Sequence, residues 1–69
     1  MERKAVISSV IASIGYDPAT ETLEGEFHKT GLYRYSDVPF GMYEALMTAP
    51  SHGIFFNENI RNQFVCERI

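Results

Sequence analysis

Two adjacent serines, Ser8-Ser9, and the histidine His52 are the groups of this chain that invite a nucleophilic reading. A serine nucleophile needs a base, an acid to orient that base, and donors for the oxyanion. No glycine elbow surrounds Ser8-Ser9 to expose such a nucleophile. The serines read instead as small strand residues that bond to nearby backbone. His28, His52 and Cys66 lack the paired spacing of zinc ligands. Glu24 and Glu26 alternate along a strand in the pattern of a solvated face, not of a working acid and base. The expectation is therefore no catalytic residue, no metal and no cofactor.

Side chains suited to binding are more suggestive. Tyr33 and Tyr35 stand at i and i+2, on one face of a strand, where they either stack exposed bases or pack beneath a helix. The same face carries Leu23 and Phe27, which favours packing, with the hydroxyls bonded at the edge of the core. Asn57 and Arg61 are i, i+4 on an expected helix and border its apolar stripe. An arginine so placed can hold a phosphate or carboxylate in its fork. It can equally bond Glu58, a strand carbonyl or a tyrosine hydroxyl while its stem packs on the core. Tyr33, Tyr35, Ser51, Asn57 and Arg61 are the candidate residues of any ligand or partner site.

Positioning these groups requires strands first and helices second. Val6 to Tyr16 is dense in β-branched residues and reads as a strand. Apolar residues fill both of its faces, so it is covered twice or broken in register by a bulge. Without a bulge, either Val6 and Val10 or Ile7 and Ile11 face away from the helices. Asp17-Pro18-Ala19-Thr20 makes a turn. Leu23, Gly25 and Phe27 then point inward while Thr22, Glu24 and Glu26 point to water. His28-Lys29-Thr30-Gly31 closes a hairpin onto a third strand, Leu32 to Val38. After Val38-Pro39 the period becomes helical, with Met42, Tyr43, Leu46 and Ala49 in one stripe. Gly41 implies a frayed helix start or a close approach to the sheet. Pro50 ends that helix, and Ser51 caps a second over about Gly53 to Phe64, with Phe56, Ile60 and Phe64 inward. Val65 to Ile69 is a last short strand or a frayed end. The result is an α+β fold, a three-stranded antiparallel β-meander followed by two helices packed on one face, in the order β-β-β-α-α.

Size and charge narrow the function classes. The 69 residues, expected to form one domain over 1–69, are 45% hydrophobic and 22% charged. A domain this small buries only about 60% of its unfolded surface, so a deep catalytic cleft would compete with the core. The net charge of −3 disfavours anionic partners on average. Its distribution is uneven: from Ala5 to Phe27 there are four acids and no base. Cys66 is the single cysteine and cannot form an internal disulfide, which suits a reducing compartment. The opening residues do not read as a signal peptide, and no stretch is apolar enough to span a membrane. The expected location is cytoplasmic.

Ser8-Ser9, Gly15-Tyr16, Leu23 with Phe27, Tyr33-x-Tyr35, Val38-Pro39, Tyr43, Ala49-x-Ser51-x-Gly53, Phe56-Asn57 and Ile60-Arg61 occur here in an order that resembles the KTSC domain. That bacterial domain is found at the C-terminus of some lysyl-tRNA synthetases and as a stand-alone protein. The resemblance runs from about Val6 to Phe64. It implies no established activity and suggests RNA binding through the synthetase context. The expected function is thus a small non-catalytic binding or interaction module. Contact with an unidentified protein partner or self-association leads, through outward apolar residues and a long unpaired edge strand. An RNA-binding module is the alternative.

Overall fold

The structure is a computed structural model in which residues 2–69 are described. Seven elements follow one another: β1 (Arg3–Ala5), β2 (Ile11–Asp17), β3 (Thr22–Phe27), β4 (Gly31–Tyr35), α1 (Phe40–Thr48), α2 (His52–Asn59) and β5 (Cys66–Arg68). The five strands form one antiparallel sheet in chain order, with both helices inserted between β4 and β5. The expected meander is β2–β3–β4, and the sheet gains a short strand on each side of it.

The expected first strand, Val6 to Tyr16, is two different things. Its second half is β2; its first half is a loop. Ser8 Oγ accepts from the backbone N–H groups of Val10 and Ile11, each at 3.2 Å, and that turn takes the chain out of the ladder. A bulge then lies between Ile11, opposite Phe27, and Ser13, opposite Glu26. The extra residue puts Ile11 and Ile14 on the same side of the sheet, and both are buried. This resolves the apolar residues on both faces: one set is not left outside, although Ile7 is fully exposed and Val10 is 42% exposed.

Neither edge of the sheet is long. The three-residue β1 covers β2 and the three-residue β5 covers β4, so the unpaired long edge expected for self-association does not exist. Cross-strand pairs Leu23–Tyr35 and Gly25–Tyr33 place the inward face as expected. On it sit Ile11, Ile14, Leu23, Tyr35, Val38, Leu46, Phe56 and Ile60, the buried core.

Each helix departs a little from expectation. Pro39 is the N-cap of α1, with φ −62° and ψ 150°. A Cβ on Gly41 would meet nothing within 4 Å, so this glycine neither approaches the sheet nor fills a tight site. The helix stops because Ala49, before Pro50, is extended, and His52 Nδ1–H donates to the Leu46 carbonyl at 2.9 Å. His52 is therefore half-buried rather than solvated. The second helix ends at Asn59, five residues earlier than the apolar stripe suggested. There the N–H groups of Ile60 and Arg61 both donate to the Phe56 carbonyl, and Gln63 N–H donates to Ile60, winding the chain into turns. Ile60 remains buried and Phe64 half-buried, so the stripe outlasts the helix.

Candidate binding groove

A groove of about 520 Å³ opens between α2, the β3–β4 turn and β5. Its aromatic wall is held together edge-on: Phe27 and Tyr33 have ring centroids 5.7 Å apart, Phe27 and Phe56 5.1 Å, and Tyr35 and Phe56 5.2 Å. Interplanar angles of 68–80° are the favourable edge-to-face arrangement. Phe56 belongs to both the groove and the core. Tyr35 is 4% exposed and Tyr33 half-buried, so the helix covers one tyrosine of the pair and leaves the other partly open.

Polar groups ring this wall. Asn57 comes from α2, Arg61 from the turns after it, and Lys29 and Thr30 from the β3–β4 turn. No lining residue is acidic. Among the described residues no acid lies within ion-pair distance of Arg61 or Lys29, so of the alternatives open to Arg61 the bond to Glu58 is not formed. Arg68 pairs across from Tyr33, and its guanidinium lies beside Gly31 at the same turn. Gly31 has φ +100°, the left-handed conformation that lets the chain turn there.

The register of β5 sets Cys66 opposite Tyr35 on the groove side. Burial is the main cause that pushes the Tyr35 hydroxyl up to about 12 from 10.0. The Cys66 thiol and Tyr33 add to the rise, while Arg61 opposes it. The phenol is thus a proton donor throughout the neutral range. Tyr33, Tyr35, Asn57 and Arg61 line one groove, although Arg61 lies past the helix end rather than on α2. Ser51 stands apart. It is the N-cap of α2, its Oγ accepting from Ile54 N–H at 3.3 Å. It borders a shallower depression of about 280 Å³ with Ile7, Ser8 and Ile54, which touches the groove through Ser9, Val10 and Asn57.

Sequence reasoning missed Lys29 and Cys66 as groove residues. Nothing in the sequence marks β5 as paired with β4, and that pairing is what brings Cys66 to the site.

The serines and histidines do local work. His28 Nε2–H donates to the Ser8 carbonyl at 3.0 Å, and His28 N–H to the Val10 carbonyl at 3.0 Å, pinning the 6–10 loop to the hairpin. A Cβ on Gly53 would lie 3.4 Å from Val10 Cγ2 and 3.5 Å from Ser8 Oγ. That contact couples Ser8-Ser9 to Ser51-x-Gly53 through packing. No group of three or more metal-binding side chains occurs among the described residues.

Comparison with known proteins places this architecture. The chain belongs to the KTSC domain family, whose sequence profile matches residues 7–64. It is similar to the crystal structure of a KTSC domain protein from Yersinia pestis, with a TM-score of 0.98 and 43% identity over 99% of this chain and 96% of that one. An uncharacterised protein of Stutzerimonas stutzeri is 44% identical over 63 residues, covering 91% of this chain and 89% of that protein. A lysine–tRNA ligase of Nostoc sp. is 39% identical over 61 residues, which is 88% of this chain and 11% of the ligase. The chain therefore matches stand-alone proteins along most of their length and only about a tenth of the ligase. No helix among the described residues is long and apolar enough to cross a membrane.

Proposed function

We propose that this domain is a non-catalytic binding module and that the groove between α2, the β3–β4 turn and β5 takes single-stranded RNA. The observation that carries this reading is the charge of the groove: a chain of net charge −3 lines it with Lys29 and Arg61 and no acid. Beside those bases lie a partly open tyrosine and the Asn57 amide, the groups that stack and hydrogen-bond an unpaired base. Protein contact or self-association is a second reading, supported by exposed Ile7, Val10 and Ile54 around the shallower depression. Both readings set the domain in a reducing cytoplasm, which suits its lone exposed thiol.

Titration of isotope-labelled protein with a pool of short RNAs at low salt tests the choice. Amide shifts at Tyr33, Asn57 and Arg61 that fade with added salt are expected, because displaced counterions drive such binding. No shift with RNA, together with concentration-dependent shifts at Ile7, Val10 and Ile54, favours the second reading.

A further inference from the structure

The groove also limits how much nucleic acid it can read. We infer that it is a one-nucleotide pocket: a single nucleoside monophosphate unit, its base against Tyr33 and its phosphate on Arg61, fills the site. This rests on the RNA-binding reading above and narrows it.

Three observations carry the inference. The first is size: about 520 Å³ is the volume of a pocket for one small ligand, and the depression that adjoins it through Ser9, Val10 and Asn57 has no Lys, Arg, Tyr or Phe in its lining. The second is the supply of aromatic platforms. Sheets that read several bases offer two or three open rings. Here Phe56 and Tyr35 are almost fully buried, and the two half-buried rings, Phe27 and Tyr33, stand edge-on to one another at 77°, so they offer one stacking surface and not two parallel ones. The next aromatic group, Tyr16 stacked on Tyr43 at 4.8 Å beside Phe40, packs under α1 and does not line the groove. The third is the character of the polar groups. Arg61 is a fixed cation without an acidic partner among the described residues, and the Tyr35 phenol stays protonated and lines the same groove. Both are donors, and a terminal phosphate with its extra charge suits them better than a bridging phosphodiester.

The test compares four kinds of probe on the labelled full chain at one low salt concentration: uridine and adenosine 5′-monophosphates, the matching nucleosides, inorganic phosphate, and a tetranucleotide. The expected result is shifts at Tyr33, Tyr35, Asn57 and Arg61 with at least one monophosphate. Its affinity should lie within about threefold of the tetranucleotide's and at least tenfold above its own nucleoside's and above phosphate's. Arg61→Ala should weaken the monophosphate at least tenfold without lowering the melting temperature; Tyr33→Leu, which keeps bulk in the wall, should weaken it while leaving phosphate unchanged. A tetranucleotide that shifts the groove while millimolar monophosphates do not would overturn the one-nucleotide pocket and leave RNA binding standing. Phosphate or a nucleoside matching the monophosphate also overturns it. If neither tetranucleotide nor monophosphate moves the groove, both readings fall and a protein partner remains. Should Arg61→Ala lower the melting temperature, Arg61→Gln is the variant to score.

Discussion

The two faces of the sheet handle the same side chains in opposite ways. On the face away from the helices, cross-strand register lines up Arg3, Gly15, Glu24, Arg34 and Glu67 in one row over all five strands. Gly15 leaves room for Arg3 to reach across it. Glu24 then takes Arg3 on Oε1 at 3.2 Å and Arg34 on Oε2 at 3.1 Å, with Glu67 at 4.0 Å from Arg34. Two arginines cover the carboxylate so well that Glu24 is buried on a face no other layer covers. The simple expectation of a solvated Glu24 fails for this reason. Its neighbour Glu26 is exposed but accepts from Ser13 Oγ at 3.0 Å. On the helix side, Lys29 and Arg61 border the groove and have no such acid. The acids of the chain cancel the bases of one face and leave those of the other unneutralised. Net charge is a poor guide to a surface when register decides which charges meet.

The largest break in this contrast comes from the residue the groove shares with the core. Phe56→Ala removes the ring that Phe27 and Tyr35 both meet edge-on and opens a cavity beneath the groove. The expected loss is about 3–5 kcal/mol, a large part of what a domain of this size has. Circular dichroism at 25 °C should show a substantial unfolded fraction, while Phe56→Leu keeps the fold. A fully folded Phe56→Ala would mean that groove and core are less connected than the ring contacts indicate.

Glu24→Ala is the next largest and acts on the opposite face. It leaves Arg3 and Arg34 without their shared carboxylate, but both are partly exposed and can hydrate. The expected cost is roughly 1–2 kcal/mol, or on the order of 5–15 °C in melting temperature for so small a domain. Ligand binding in the groove should survive at temperatures where the variant is folded. Lost binding in a folded Glu24→Ala would show that the two faces are coupled.

Much of this contrast was legible in the sequence, and the part that was not has physical causes. Period-two alternation in Leu23–Phe27 and Tyr33–Tyr35, and helical spacing in the 42–49 and 56–64 stripes, placed the inward face; Tyr33, Tyr35, Asn57 and Arg61 line one groove beside it, with Arg61 past the helix end where the spacing had it on the helix. Alternation says nothing about strands made by pairing alone. Arg3–Ala5 and Cys66–Arg68 carry no apolar pattern, and they are strands because β2 and β4 present them with backbone partners. The bulge at Ala12 was an open alternative, since both faces of the segment were apolar, and only the register decides it. The Glu24 pair was hidden because it joins β1, β3 and β4, and its first arginine lies in the strand that no pattern marked.

The smallest expected effect at neutral pH separates the two faces by the kind of polar group each buries. The outer face buries an ion cluster; the groove wall buries a neutral phenol, Tyr35. A tyrosine whose folded-state titration point is raised from 10.0 to about 12 binds its proton more tightly when folded than when unfolded. Its contribution to stability is then fully present below pH 10 and is lost as pH rises through about 12. Tyr35→Phe should change the melting temperature little at pH 7 and flatten its decline between pH 10 and 12. Tyr16 is also raised, by burial and by the charges of Glu21 and Asp17, and its hydroxyl donates to the Val38 carbonyl at 2.6 Å, so some alkaline slope must persist in the variant. Carbon-13 shifts of the tyrosine Cζ atoms followed against pH distinguish the contributions. Tyr35 should titrate above the ordinary tyrosine range; if it titrates near 10, the phenol is wetter than its burial implies and the wall of the groove is more open.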